Sequence, residues 1–461
     1  MVEPSNESIR VPLSLLQGQM WHFETTSPTP GFYNEAIRHR LSRPVDTGML
    51  REALGATVAR HEALRTRFPA DAGGPYQSIV ASLTPELEVA DLRAVAAADR
   101  ENALARLAQT EQRMPFDLEA GPPFRFRLFR LTDDISELMI CLDHMIADDT
   151  SMSLLLGDVL AHHDALAAGR PADLPALGVQ YADFAVWQRK WFTPEREQAQ
   201  RSYWRAKLAG VPETRAVPYG TEGPPDSVDL RVPPQVHCLL LDRGLRARLA
   251  ALARATATSL SVVCTAAVES LIALSTGDTD TVVLTTFGGR FRPEVERVVG
   301  LFGGFGFIRT DLSGDPPVEV VLRRARASVL GLMENHHLPV LDVIDEVRAS
   351  GTHLGMPSVP VGVHFFHASH DRWIPGTSVI ARPPDRPGPK GESTEAGKPL
   401  DIRFFDDGEM LWAMVHHHSE LFEPGAVVRF ASDLERVLEA MAGDPLLRLS
   451  ELPVAPLPAT G

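Results

Sequence analysis

The run SELMICL at 136–142 is followed at once by DHMIADDTS and then by SMSLLLGDVLAHHDALAAG, and this order constrains the fold more than any other stretch. A short, nearly continuous apolar run suits a strand buried on both faces. The segment after it sets Leu and Ala at helical spacing up to a stop near Gly169. Strand, short loop and helix therefore hold Asp143, His144 and their neighbours at the end of a buried strand, a common place for groups that do chemistry.

Similar alternation fills the rest of the chain. Residues 48–63 (GMLREALGATVARHEA) and 98–112 have helical spacing, and FRFRLFRL at 124–131 alternates apolar and basic as a half-buried strand does. The second half repeats the theme: strand VHCLLL, helices from about 243 and 259, strand TVVLTTF, helix PVEVVLRRARASVLGLM, strands near 359–367 and 408–416, and a last helix near 424–442. At 461 residues the chain exceeds what one core supports, so two α/β lobes are expected. The Pro- and Gly-rich stretch VPYGTEGPPDSVDLRVPP (217–234) marks the boundary. The division expected is 1–175 for the first lobe, 176–230 for a connector and 231–461 for the second lobe. Residues 383–398 combine Pro, Gly and charge without periodicity and predict a mobile surface loop.

The net charge of -15 argues against nucleic acid or an anionic membrane as the main partner. Cys141, Cys238 and Cys264 are scattered in apolar company without metal-ligand spacing, which predicts three buried, reduced thiols. The N-terminus has no apolar run of signal length, and no stretch of about 18 uncharged apolar residues occurs, so a cytoplasmic protein is expected.

Six segments, in order, resemble condensation domains of nonribosomal peptide synthetases. They are PLSLLQGQMW (12–21), RHEALRTRF (60–68), MPFDLEAGPPFRFRLFRL (114–131), YADFAVWQRKW (181–191), GGRFRPEVERVVGLFGGFGFIRTDL (288–312) and RLSELP (448–453). The resemblance implies two chloramphenicol-acetyltransferase-like lobes forming a V-shaped pseudo-dimer with a central tunnel. It also implies acyl groups delivered as thioesters on the phosphopantetheine of carrier proteins, no bound cofactor or metal, and an amine or hydroxyl acceptor. A monomer is expected, and a free-standing one, since the chain begins just before the first motif and ends just after the last.

The family's HHxxxDG signature falls on Asp143–Asp149. Its second His, here His144, is the implied catalytic residue, and a neutral imidazole has the right chemistry to accept a proton from the attacking group. Asp148 occupies the structural Asp position, and the resemblance pairs it with Arg65 in an ion pair whose disruption costs roughly 3–5 kcal/mol. Asp143 and Asp149 replace the first His and the Gly. A carboxylate at 143 favours the imidazolium form of His144 unless it points away or is itself paired. Gly303, Gly304 and His336 fall where the family lines its tunnel, with Gly–Gly in place of Val–Asn and Asn–His–His in place of His–Gln–Asp.

Three functions remain open at this point. One is condensation, most simply with amide formation. Another is a silent relative that recruits tailoring enzymes to a carrier-bound peptide. The third is heterocyclization or ester formation, because Asp143, Asp148 and Ser151 also spell DxxxxDxxS. His416–His418 are expected to divide between surface and core, since successive strand side chains point to opposite faces and cannot converge on one ion. Arg323, Arg324 and Arg326 predict a solvated basic helix face.

Overall fold

The first unit begins with a strand, β1 (Ser8–Pro12), and helix α1 (Leu15–Thr26). Helix α1 starts where the Ser14 hydroxyl accepts from the Gln17 N–H while the Gln17 side chain accepts from the Ser14 N–H, both at 3.0 Å. There follow β2 (Asn34–Leu41), α2 (Thr47–Arg60), β3 (Thr66–Arg67), β4 (Ala70–Asp71), β5 (Gly74–Val80), β6 (Leu87–Asp91), α3 (Ala97–Arg113), β7 (Phe124–Arg130), β8 (Ser136–Asp143), α4 (Asp149–Ala167) and α5 (Tyr181–Trp191). This computed structural model describes residues 8–27, 29–213, 215–220, 235–352, 359–367 and 398–454.

Strands β2, β8, β7 and β6 form one sheet in that order, with β8 antiparallel to both neighbours and β6 parallel to β7. Every residue of β8 is buried, as its apolar run requires. Leu138, Ile140 and Leu142 pack with Leu50, Leu54 and Val58 of α2 and with Leu155 and Val159 of α4. Met139 and Cys141 point the other way, against Leu104 and Ala108 of α3. Burial of both faces holds the residues after Leu142 on a rigid base.

The second unit carries α6 (Pro194–Lys207), β9 (Gln235–Leu241), α7 (Arg243–Ala255), α8 (Leu260–Thr276), β10 (Asp280–Phe287), β11 (Gly304–Asp311), α9 (Val318–Glu334), α10 (Val340–Ala349), β12 (Val361–His367), β13 (Leu400–Asp406), β14 (Leu411–His417) and α11 (Ala426–Gly443). Its sheet has the order β11-β10-β12-β13-β14-β9, with β12 parallel to β10 and β13 and the remaining pairs antiparallel. Val363, Ile402, Phe404 and Val415 are buried on one sheet face, and helices α8 and α11 pack on this sheet.

The two units depart from the boundaries expected from sequence. Helix α5, assigned to the connector, belongs to the first unit, as do residues 288–303, which were assigned to the second lobe. The cause is apolar: Val295, Val298, Leu301 and Phe302 join the core around β8. The boundary stretch 217–234 is described only as far as Gly220, and the loop expected at 383–398 lies outside the described residues except Lys398. His416, His417 and His418 are all buried, which corrects the expected division between surface and core. Cys141 and Cys264 are buried and Cys238 half-buried, all three unpaired. Among the described residues no single helix is long and apolar enough to cross a membrane.

Candidate active site

Asp143 ends β8, and the chain turns through His144–Ala147 before Asp148 caps α4. Met145, Ile146 and Ala147 are fully buried, so the turn is pinned by packing. The Gln17 side-chain amide on α1 also donates to the Met145 carbonyl at 3.1 Å, and the Tyr33 carbonyl accepts from the His144 N–H at 3.2 Å.

His144 Nδ1 lies 2.6 Å from the Ala147 carbonyl oxygen. A carbonyl only accepts, so Nδ1 carries the hydrogen and Nε2 holds the lone pair of the neutral ring. The tautomer competent for proton acceptance is set by the loop's own backbone.

Asp148 is saturated. Its Oδ1 accepts from the Ser151 N–H at 2.9 Å and lies 2.8 Å from the Ser151 hydroxyl. Its Oδ2 accepts from Arg290 at 2.6 Å, from the Phe302 N–H at 3.1 Å and from the Gly303 N–H at 3.0 Å. Burial pushes this carboxyl up, but the Arg290 charge and these donors outweigh it and hold it below the usual carboxylate range. Ser151 accepts in turn from the Gly300 N–H and from Arg290, so it serves the cap. Tyr181, fully buried, donates to the Leu301 carbonyl at 2.6 Å. Its ring occupies the space above Gly300, where an added Cβ would lie 1.9 Å from the ring.

The partner of Asp148 is thus Arg290 and not Arg65. Arg65 donates instead to the backbone carbonyls of Val58, Val80 and Ala81, tying the end of α2 to the end of β5. Arg290 sits in the GGRFRPE stretch, whose apolar neighbours fold it into the first unit. The sequence did hold a signal for it, because a buried carboxylate needs a cation and this motif supplied an unassigned arginine.

Asp143 is 2 % exposed, and its Oδ1 accepts from the Met145 N–H at 2.9 Å. Burial first, and then the charge of Glu24, push this carboxyl up to about 7, with the Met145 bond, His144 and Arg125 opposing. Glu24, near the end of α1, is pushed up to about 6 by burial, opposed by His144, and its Oε1 is buried without a hydrogen-bond partner among the described residues. Glu24, like Arg290, is a site residue that the sequence alone did not reveal, since nothing in an isolated α1 shows what the helix lies against. Asp149 is exposed in the first turn of α4, where a negative charge suits the helix N-terminus.

Of the residues expected to line a tunnel, Gly303 donates to Asp148, while Gly304 opens β11 opposite Phe287. His336 follows α9, with Nδ1 2.7 Å from the Met333 carbonyl and its ring edge-on to Phe287. Among the described residues no group of His, Cys, Asp and Glu is placed to hold a metal ion.

A buried strand thus delivers a tautomer-fixed histidine and an Asp–Arg lock follows at the next helix start, in a mixed α/β fold of the chloramphenicol-acetyltransferase-like class. The condensation-domain family profile matches residues 8–457, and the chain belongs to that family. It is 32 % identical over 450 residues, 96 % of this chain, to phosphinothricin tripeptide synthetase PhsC of Streptomyces viridochromogenes, and spans 40 % of that relative's length. Among solved structures, the X-domain in complex with OxyB from teicoplanin biosynthesis matches with a TM-score of 0.77 and 28 % identity, over 99 % of this chain and all of that one. The first condensation domain of the calcium-dependent antibiotic synthetase, with a substrate analogue, has the same fold: TM-score 0.73 at 21 % identity, over 97 % of this chain and all of that one.

Proposed function

We propose that this chain catalyses condensation in nonribosomal peptide biosynthesis, joining a carrier-bound acyl thioester to an acceptor amine. The acceptor nitrogen attacks the thioester carbonyl, the C–N bond forms, the C–S bond breaks and the phosphopantetheine thiol leaves. His144 Nε2 takes the proton that the nitrogen sheds and passes it to the departing sulfur, which leaves as the free thiol. The observation that carries this reading is the contact between His144 Nδ1 and the Ala147 carbonyl, which leaves Nε2 as the basic nitrogen. The departure at 143 is compatible with that role, because burial and Glu24 keep the Asp143 carboxyl well above the usual range instead of leaving it a full anion beside the imidazole. The test is single-turnover product formation from loaded carriers. His144→Ala should slow it about 10²- to 10⁴-fold at unchanged melting temperature. Equal rates would overturn the reading.

A second reading, recruitment of a tailoring enzyme to a carrier-bound peptide, is favoured by the likeness to an X-domain solved together with OxyB. Inactivity of the wild type with loaded carriers, combined with retention of a tailoring oxidase on a sizing column, would put recruitment first.

A further inference from the structure

Outside the His144 loop, the second unit holds a line of polar side chains on one sheet face. Register sets Leu284 opposite Gly362, and so Thr286 beside His364; it also sets His364 opposite Arg403, and Asp401 opposite both Gly362 and His416. The two-residue period of a strand places Thr286, His364, Asp401 and Arg403 on the same face, opposite buried Val363 and Ile402.

His364 Nε2 lies 2.7 Å from Asp401 Oδ1, and Arg403 Nε donates to Asp401 Oδ2 at 2.9 Å. On the other side of the ring, His364 Nδ1 lies 3.2 Å from the Thr286 hydroxyl. Asp401 and His364 are almost fully buried, whereas Thr286 is half-buried. Burial works to neutralise Asp401, but His364 and Arg403 outweigh it and keep the carboxylate charged far below the usual range. Burial, reinforced by Arg403, lowers the nearby His416 to about 4, so near neutral pH it does not compete as a cation for Asp401.

A carboxylate only accepts, so the hydrogen of the neutral His364 ring sits on Nε2 and the lone pair on Nδ1 faces the Thr286 hydroxyl. Hydroxyl, imidazole and carboxylate thus stand in the order nucleophile, base and orienting group. The backbone is adapted to this pair: a Cβ on Gly362 would lie 2.1 Å from Asp401 Oδ1 and 2.9 Å from His364 Nε2. Any other residue at 362 would displace the His–Asp contact.

We propose that Thr286, His364 and Asp401 form a second nucleophilic centre, which takes an acyl group from a thioester onto the Thr286 hydroxyl. Thr286 Oγ1 attacks the thioester carbonyl carbon while its proton passes to His364 Nδ1. The tetrahedral intermediate collapses, the C–S bond breaks, and the departing thiolate takes the proton from Nδ1. The products are a Thr286 ester and a free thiol, with no oxidant or metal required. Asp401 is a positioning residue here, holding the tautomer through Nε2, and Arg403 holds Asp401.

The experiment incubates the whole chain with acetyl-N-acetylcysteamine thioester or p-nitrophenyl acetate and maps acetylation by peptide mass spectrometry. It needs neither carrier protein nor acceptor amine, so its outcome is read independently of the condensation reaction proposed above. The wild type should gain one acetyl group on Thr286, Thr286→Ser should keep the label, and Thr286→Val, which preserves side-chain shape, should lose it at unchanged melting temperature. His364→Gln should slow labelling about 10²- to 10⁴-fold, the range for loss of a positioned base. An unlabelled Thr286 in the wild type, or equal labelling rates in wild type and a folded His364→Gln, would overturn the proposal.

Discussion

The guanidinium of Arg290 donates to the carboxylate of Asp148 at 2.6 Å across 142 residues of sequence, and both side chains are 8 % exposed. A charge pair this buried is costly to break from one side, because the survivor keeps its desolvation penalty without its partner. Asp148→Asn and Arg290→Leu should each lose roughly 3–5 kcal/mol in urea unfolding, and the double variant should lose less than the sum of the two. Arg65→Leu, which touches only carbonyls, should show no such coupling to Asp148. Additivity of Asp148→Asn with Arg290→Leu would refute the pairing.

Gly300 carries the backbone of residues 288–303 past Tyr181, and its N–H donates to Ser151 at 3.0 Å. Gly300→Ala puts a methyl group into the Tyr181 ring, and neither the ring nor the core around Phe302 has room to yield. The variant should lose about 1–3 kcal/mol, or more where the segment is expelled. Tyr181→Ala, itself costly at a buried position, should cost less in the Gly300→Ala background than in wild type, because the clash is then absent. A Gly300→Ala protein as stable as wild type would show that the segment yields more easily than its packing implies.

Local pattern was enough for β8 and α8, because a strand buried on both faces or a helix buried nearly all round needs a continuous apolar stretch, and for β7 and α4, whose alternation and helical spacing show one buried side. Strand β13 was not foreseen: LDIRFFD follows directly on a Pro- and Gly-rich stretch and gains its meaning only from β12 and β14 on either side. His144 and Asp148 could be named from their motif, yet the identity of their neighbours depends on which distant segments fold beside them. Glu24 arrives from α1 and Arg290 from a stretch beyond the second unit's first strands, and no spacing rule connects Glu24 to Asp143 and His144 or Arg290 to Asp148. The burial of His416–His418 was missed because alternation along a strand does not show whether its second face is covered as well, and both faces of β14 are buried.

Glu269 lies wholly buried in α8 with the Thr281 hydroxyl 3.3 Å from its Oε1, and burial pushes it from 4.5 up to about 8. The native state therefore holds a proton between those values that the unfolded chain has released. Stability from this group is greatest below about pH 4.5 and declines as pH rises towards 8, by at most about 1.4 kcal/mol per pH unit. Glu269→Gln, which keeps the shape and the acceptor oxygen, should be more stable than wild type at pH 8 and nearly equal at pH 4.5. Urea midpoints across that range check it, and parallel curves for the two proteins would place an ionised glutamate in the core.

Asp143 offers the same kind of test at the candidate active site itself. Burial and the Glu24 charge raise its carboxyl from 3.8 to about 7, so over that interval the folded protein keeps a proton that the unfolded chain gives up. Its contribution is fully present below about pH 3.8 and is lost as pH rises through 7, again at no more than about 1.4 kcal/mol per unit. Asparagine at 143 reproduces the neutral acid and can still accept from the Met145 N–H, the one contact the side-chain oxygen makes with the turn. Asp143→Asn should therefore gain melting temperature over wild type at pH 8 and match it near pH 4. Glu24→Gln removes the second cause of the shift, so the Asp143 carboxyl carbon, followed by ¹³C NMR, should titrate at lower pH in that variant than in wild type. An unmoved Asp143 titration in Glu24→Gln would mean that the two carboxylates are not electrostatic neighbours. Equal stability of Asp143→Asn and wild type at both pH values would mean that the carboxylate at 143 is ionised beside His144, and the compatibility of this position with proton acceptance would then be lost.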